Sequence, residues 1–195
     1  MGKIFCLMGK SSSGKDTIFS KIKNDKDLNL KPVVSYTTRP KRINETQGVE
    51  YFFINKEDLD KFENENKVIE KRVYDTIHGK WYYCTINDGQ IDLDKYNYLF
   101  ITTLESYKDI KAYYGEDKVF PFYIDIDDGI RLERALERER RQPNPNYDEL
   151  CRRFLADNID FSEKNLADLN INKFYINNNL QECIEEIKKD ILNLI

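Results

Sequence analysis

The sequence predicts an α/β fold in which a parallel β-sheet is flanked by helices. Strand-like and helix-like segments alternate near both ends of the chain, which is typical of a parallel sheet covered on both faces. A glycine-rich loop, GKSSSGKDT (Gly9–Thr17), joins the first predicted strand to the first helix. The chain has 195 residues, of which 40% are hydrophobic, and this is enough for one well-filled core with a small insertion.

The first predicted elements surround the glycine-rich loop. Lys3–Met8 predicts a buried strand, because its residues from Ile4 onward are all apolar. Thr17–Asn24 predicts a short helix whose apolar residues share one side. Val33–Tyr36 predicts a second strand.

The segment from Thr37 to Asn87 has a different character. It contains three short, aromatic-rich segments that predict strands, at Val49–Ile54, Val68–Tyr74 and Trp81–Thr85. One helix is predicted among them, at Lys56–Asn64. We therefore expect an inserted β-rich region in this part of the chain.

The alternation of strands and helices resumes after this region. One of the predicted helices ends at Gly115, a residue type that commonly follows the last turn of a helix. The predicted strands are Tyr98–Thr102, Val119–Asp125 and Lys173–Ile176, and the predicted helices are Leu104–Tyr114, Asp128–Arg141, Tyr147–Phe161 and Leu180–Leu194.

Composition and charge argue against several classes of function. The formal net charge is -4, which does not favour general nucleic-acid binding. No apolar run is long enough to cross a bilayer, and the apolar stretch Ile4–Met8 is too short for a signal peptide. The four cysteines form no C-x-x-C pair, and the single histidine, His78, has no neighbour at metal-ligand spacing. We expect no metal cluster or disulfide framework, and a cytoplasmic location.

The glycine-rich loop matches a phosphate-binding pattern at all but one position. The pattern G-x-x-x-x-G-K is met by Gly9, Gly14 and Lys15, whereas Asp16 stands where Ser or Thr is expected and Thr17 follows one place later. A loop of this kind directs backbone N–H groups and a helix N-terminus at an anion, and the lysine adds a positive charge. The alternative is a surface turn rich in Ser and Gly, which would not require a lysine at this spacing.

Two further segments concentrate basic side chains. Ser35–Phe53 contains Arg39, Arg42 and Tyr51, which together could hold one phosphate, although a solvated basic loop would have the same composition. Arg131–Phe154 carries arginines on both sides of a Pro/Asn loop, so this segment could close over a polyphosphate as a lid. Salt bridges to neighbouring glutamates are the alternative for the second set. These arginines are Arg134, Arg138, Arg141, Arg152 and Arg153.

Several ordered blocks resemble the guanylate kinase family over nearly the whole chain: VSYTTRPKR, EYFF, VIEKRVY, YYCT and FYINNNL. The resemblance implies a P-loop NTPase-type core (1–34, 98–130 and 158–195), a β-rich region that binds a nucleoside monophosphate (35–90) and an arginine-bearing helical lid (about 131–157). It implies ATP and GMP as substrates, Mg²⁺ as cofactor, and ADP and GDP as products. Neither nucleic acid nor membrane is expected as a partner, and the protein is expected to be a monomer or a homodimer.

The resemblance also implies roles for individual residues. The phosphate of GMP would be held by Arg39, Arg42, Tyr51 and Tyr83, and its base would be read by Ser35, Glu70, Thr85 and Thr103. ATP would be bound by Gly9, Ser11, Ser12, Ser13, Gly14, Lys15, Asp16, Thr17, Arg134 and Asn177. The residues expected to act on the transferred phosphoryl group are Lys15, Arg39, Arg138 and Arg153, and the metal would lie at Asp16 and Thr17.

The sequence departs from the family pattern at three positions outside the glycine-rich loop. Ile101 and Thr103 stand where the family has acids, and Cys84 stands where it has glycine. Asp16 either supplies the metal-directed charge missing at Ile101 or serves only the start of the helix. Three hypotheses remain: an active guanylate kinase, a kinase for another nucleoside monophosphate, and a nucleotide- or protein-binding module without catalysis.

Overall fold

A five-stranded parallel sheet forms the centre of the protein. The computed structural model describes residues 1–76 and 79–195, so the prediction about His78 lies outside the described residues. Its strands are β1 Ile4–Met8, β2 Leu30–Pro32, β7 Asn97–Ile101, β8 Val119–Asp125 and β9 Phe174–Ile176. The strand order is β2-β7-β1-β8-β9.

Helices cover both faces of this sheet, and alternate side chains of β1 pack into two different core clusters. Ile4, Cys6 and Met8 belong to a core cluster that includes the helix α3 (Leu104–Tyr114). Phe5 and Leu7 belong to a second cluster that includes the helices α1 (Lys15–Lys23) and α7 (Leu180–Leu194). A central strand buried on both faces explains the unbroken apolar run in the sequence. The helices are α1 Lys15–Lys23, α2 Lys56–Asn64, α3 Leu104–Tyr114, α4 Asp128–Arg140, α5 Tyr147–Asp160, α6 Glu163–Asp168 and α7 Leu180–Leu194.

A separate mixed sheet of four strands is inserted between β2 and β7. Its order is β4-β3-β6-β5, with β3 and β4 parallel and the other pairs antiparallel. It packs on α2 through a cluster of buried side chains that includes Tyr36, Leu59 and Ile86. The bounds are β3 Tyr36–Thr37, β4 Phe52–Phe53, β5 Val68–Thr76 and β6 Gly79–Ile86.

The predicted fold class is confirmed, but three details of the secondary structure are wrong. Val33–Tyr36 is not one strand, because the chain passes from β2 to β3 and the Val34 N–H donates to the Gln90 side chain at 2.9 Å. The strand predicted at Val49–Ile54 is reduced to β4, since Val49 N–H closes a turn onto Thr46. The short helix α6 was not predicted. The predicted helices α2, α3 and α7 have the observed bounds.

The parallel arrangement brings separate loops to one edge of the sheet. The glycine-rich loop follows β1, Thr103 follows β7 and Asn177 follows β9, all at carboxyl ends of strands. This edge is where open α/β sheets bind ligands. None of the helices in residues 1–76 and 79–195 has the length and apolar character needed to span a membrane.

Candidate active site

The glycine-rich loop is open towards a ligand at the start of α1. Gly14 is the N-cap residue, with φ of 90°, and no side chain in the described part of the chain caps this helix. The first N–H groups of α1 are therefore left for an anion. The Lys15 side chain is 21% exposed and that of Asp16 is 75% exposed, and their charged atoms are 3.7 Å apart.

Asn177 fixes the loop from the end of β9. Its side chain is buried, and its Nδ2 donates to the Ser13 carbonyl at 2.7 Å. The Asn177 Oδ1 and the hydroxyls of Ser12 and Ser13 are buried and have no partner among the described residues. Buried polar atoms are normally hydrogen-bonded, so this cluster fits a site that is completed by a polar ligand.

A network centred on Arg131 joins the loop to α5. Asp157 Oδ2 accepts from the Ser11 backbone N–H at 2.8 Å and from Arg131 Nη1 at 3.3 Å. Arg131 is 1% exposed, donates to Asn158 Oδ1 at 2.8 Å, and lies over the Phe154 ring. Arg131 therefore positions α5 against the loop and is not free to bind a ligand.

A second cluster surrounds Arg39 in the mixed sheet. Arg39 is 4% exposed, and its two terminal nitrogens donate to the Glu45 carboxylate at 2.9 and 2.7 Å. Its Nε donates to the Tyr83 hydroxyl at 3.1 Å, and the Tyr51 and Tyr83 rings are 5.5 Å apart. Hydrogen bonding from Arg39 lowers the pKa of Glu45. The Arg42 side chain is exposed, and its backbone N–H donates to Glu45 at 2.8 Å.

The Arg39 cluster lies within electrostatic reach of the glycine-rich loop. Burial is the main cause that raises the pKa of Tyr51, and the neighbouring Tyr83 raises it further. The Asp16 carboxylate makes a smaller contribution in the same direction. Tyr51, which lies beside Arg39, is therefore close enough to the glycine-rich loop to interact with the charge of Asp16.

A third cluster contains the residues predicted to read a base. The Glu70 side chain is fully buried and accepts from Thr85 Oγ1 at 2.8 Å and from Arg72 Nε at 3.0 Å. Arg72 Nη1 lies 3.5 Å from Thr103 Oγ1, which also accepts from the Ser106 N–H at the start of α3. Ser35 is also buried, in the segment that joins β2 to β3.

The five arginines predicted for the lid divide between two roles. Arg138 and Arg153 line a cavity of about 50 Å³ together with Ser11 of the loop. Arg134 Nη1 lies 3.9 Å from the point that a Cβ at position 14 would occupy. The other two form exposed salt bridges, Arg141 with Glu137 at 3.8 Å and Arg152 with Glu149 at 2.7 Å.

Known proteins identify the family to which this chain belongs. The family model described as guanylate kinase matches residues 1–91. Guanylate kinase of Mycoplasma mobile is 30% identical over 191 residues, which cover 96% of this chain and 90% of the relative. The chain belongs to the guanylate kinase family. Guanylate kinase of Porphyromonas gingivalis is 25% identical over 197 residues, which cover 100% of this chain and 99% of the relative.

A solved structure agrees at the level of the fold. The crystal structure of guanylate kinase from Anaplasma phagocytophilum matches with a TM-score of 0.65 and 19% identity, over 98% of this chain and 85% of that one. With identities to the curated relatives at 25–30%, the chain is a divergent member of the guanylate kinase family.

Three polar residues of this candidate site were not predicted from the sequence. Arg72 lies two residues after Glu70 on β5, so strand periodicity alone places both on one face. The sequence gives no such indication for Glu45 or Asp157. Glu45 reaches Arg39 through the course of a loop, and Asp157 reaches Ser11 through tertiary packing. The hydrogen bond between Ser11 and Asp157 joins residues 146 apart in sequence.

Gly14 offers a test of how tightly the loop is held. A Cβ at Gly14 would lie 2.3 Å from Asn177 Nδ2, at a φ of +90°. A Cβ at Gly89, which has a φ of +89°, would meet nothing within 4 Å. Both alanine variants carry left-handed strain of about 1–2 kcal/mol, but only Gly14→Ala displaces Asn177. We expect Gly14→Ala to lose more thermal stability and to bind ATP about tenfold more weakly.

Thermal unfolding and ATP titration of both variants check this expectation. Gly89→Ala is the matched control, because its φ is nearly the same and its surroundings are open. Equal losses of stability in the two variants, together with parental ATP affinity in Gly14→Ala, would contradict it.

Proposed function

We propose that the chain is a guanylate kinase, which transfers the γ-phosphoryl group of ATP to the phosphate of GMP. The observation that carries the proposal is the position of Arg39. This buried, forked cation is bonded to Tyr83 and packs near Tyr51, whose phenol interacts with the charge of Asp16 in the glycine-rich loop. A phosphate donor on the loop and a phosphate acceptor at Arg39 would then meet in one cleft.

The chemistry requires positioning and charge neutralisation, without a covalent intermediate. The open N–H groups of the loop and the Lys15 ammonium would hold the β- and γ-phosphates of ATP. The acceptor phosphate would be held by Arg39, Arg42, Tyr51 and Tyr83. The Glu45 carboxylate now accepts from the two terminal nitrogens of Arg39, in the place that this phosphate would take. Closure of α4 and α5 would bring the arginines Arg134, Arg138 and Arg153 onto the transferred group and exclude water.

The loop fits a magnesium ion that accompanies ATP. Among the described residues, no group of three or more His, Cys, Asp or Glu side chains could hold a metal, but Mg²⁺ usually takes only one or two protein ligands and keeps several waters. Asp16 and Thr17 are both exposed in the first turn of α1, a few residues after the buried Ser12 and Ser13 hydroxyls, which have no partner among the described residues. When bound, Mg²⁺ would neutralise charge that develops on the phosphate oxygens.

Measuring ADP release with GMP, AMP, CMP and UMP in turn tests this proposal. We expect GMP to support the fastest release of these four. A higher rate with one of the other three would favour a kinase for a different monophosphate, which Thr103 in place of an acid makes the second candidate. Release at background level with all four would contradict catalysis and favour a binding module, although such a module would not require Lys15 and Arg39.

Asp16→Asn is expected to raise the Mg²⁺ concentration that gives half-maximal rate by about tenfold, the lower end of effects seen when a group that supports a metal is lost. The carboxylate is 75% exposed and pairs only loosely with Lys15 at 3.7 Å, so its removal should not change thermal stability without nucleotide. GMP affinity should also be unchanged.

Asp27→Asn is the matched control for Asp16→Asn, since it removes an exposed carboxylate away from the loop. It should leave the magnesium dependence as it is in the parent protein. If Asp16→Asn also leaves it unchanged and instead lowers thermal stability, Asp16 serves only the start of α1.

A further inference from the structure

Arg72 occupies the cluster in which a base is expected. Its side chain is 13% exposed and that of Glu70 is fully buried. The two residues lie on one face of β5, and the guanidinium extends from Glu70 to Thr103. Arg72 thus lies between an acid of the mixed sheet and a hydroxyl at the start of α3.

This contact uses most of the accepting capacity of Glu70. A carboxylate offers about four lone-pair positions. One is used by Thr85 Oγ1 at 2.8 Å, one by Arg72 Nε at 3.0 Å, and a third by Arg72 Nη2 at 3.4 Å. A single position remains. Guanine presents two donors side by side, the ring N1–H and the exocyclic 2-amino group, so Glu70 cannot accept from both while Arg72 stays in place.

The same contact brings new donors to the cluster. A guanidinium has about five N–H groups, and the contacts with Glu70 and Thr103 use three of them. Thr103 Oγ1 accepts from Ser106 N–H and from Arg72, which leaves its own O–H proton for another acceptor. The cluster therefore offers several donors and one acceptor position. An edge with one strong acceptor and one donor, such as the 6-oxo group and N1–H of a purine, matches this set.

We propose that Arg72 determines base specificity, by donating to the 6-oxo group of a purine and by occupying the position on Glu70 that would otherwise read a 2-amino group. The proposal rests on the proposed function and specifies its substrate class as 6-oxopurine monophosphates. GMP and inosine monophosphate (IMP) are then accepted nearly alike. AMP is rejected, because its 6-amino group meets Arg72 and its N1 carries no hydrogen for Glu70.

The test compares GMP, IMP and AMP in the 195-residue chain, by kcat/KM and by dissociation constants from calorimetry. We expect GMP and IMP to differ by less than about tenfold, with AMP weaker by more than a hundredfold. Arg72→Ala should raise the ratio of GMP to IMP by about tenfold or more, because it frees Glu70 for the 2-amino group. A merely structural role would weaken both monophosphates equally and leave the ratio unchanged.

Lys71→Ala is the matched control, since Lys71 is the next residue of β5, faces the other side and pairs with Glu63. It should leave the ratio unchanged. If Arg72→Ala does not fold, Arg72→Met replaces it, because methionine keeps an unbranched apolar stem. The ratio of GMP to IMP in the parent protein also tests the proposal without any variant. A parent that prefers GMP over IMP by more than tenfold, or that binds neither, overturns the proposal.

The two proposals fail in different ways. If no monophosphate supports ADP release, the kinase function is contradicted. The ratio of the GMP and IMP dissociation constants from calorimetry still tests the role of Arg72 in that case. Rapid ADP release with GMP but not with IMP supports the kinase and contradicts Arg72 as the determinant.

Discussion

Lys15→Met is expected to lower kcat by about 10²–10³-fold, the effect typical of removing one group that stabilises charge in a transition state. Lys15 is the first residue of α1 and is 21% exposed, with its ammonium 3.7 Å from Asp16. That pair is loose and partly exposed, so its loss should cost little stability. Methionine keeps an unbranched apolar stem, and thermal unfolding and GMP affinity should therefore match those of the parent.

The coupled ADP-release assay measures the loss for Lys15→Met, and Lys21→Met serves as the control. Lys21 is an exposed lysine near the other end of α1, so the two variants remove the same charge from the same helix. Lys21→Met should keep the parental rate. Retention of more than a tenth of the parental kcat in Lys15→Met would exclude a role for this ammonium on the transferred phosphate.

Arg39→Lys is expected to raise KM for GMP by about a hundredfold while changing KM for ATP by less than twofold. Arg39 uses both terminal nitrogens on Glu45 and its Nε on Tyr83, a planar forked arrangement that a lysine cannot reproduce. Lysine keeps the positive charge beside the half-buried Glu45 carboxylate. This choice avoids the loss of about 3–5 kcal/mol that follows when a buried pair loses one partner.

The same substitution at Arg152 provides the control for Arg39→Lys. Arg152 also forms a two-nitrogen contact with a carboxylate, that of Glu149, but its side chain is 66% exposed. Arg152→Lys should leave KM for GMP unchanged. An equal KM for GMP in Arg39→Lys and the parent would show that the Arg39 cluster does not hold the acceptor phosphate.

Much of the fold could be predicted because its determinants are local. The start of α2 and the start of α3 are fixed by side-chain caps from Asn55 and Thr103, and α3 ends at Gly115, so these bounds could be predicted from neighbouring residues. The break between β2 and β3 has a distant cause. Val34 N–H bonds Gln90, 56 residues away, as the chain passes from one sheet to the other.

The candidate site also combines parts that are determined locally with parts that depend on distant residues. The glycine-rich loop is contiguous in sequence, and its spacing predicts a turn between a strand and a helix, as observed. The pairing of Glu70 with Arg72 is also local, since the two residues are separated by one position on β5. The contact of Asp157 with the loop depends on how α5 packs, and no pattern in the sequence predicts it.

The most direct test of the account is to follow the γ-phosphate itself. ATP labelled at the γ position is incubated with GMP, Mg²⁺ and either the parent protein or Lys15→Met, and the labelled products are separated. The account predicts labelled GDP in an amount equal to the ADP formed by the parent, and almost none with the variant. Label that remains in ATP, or that appears only as inorganic phosphate, would contradict transfer to GMP.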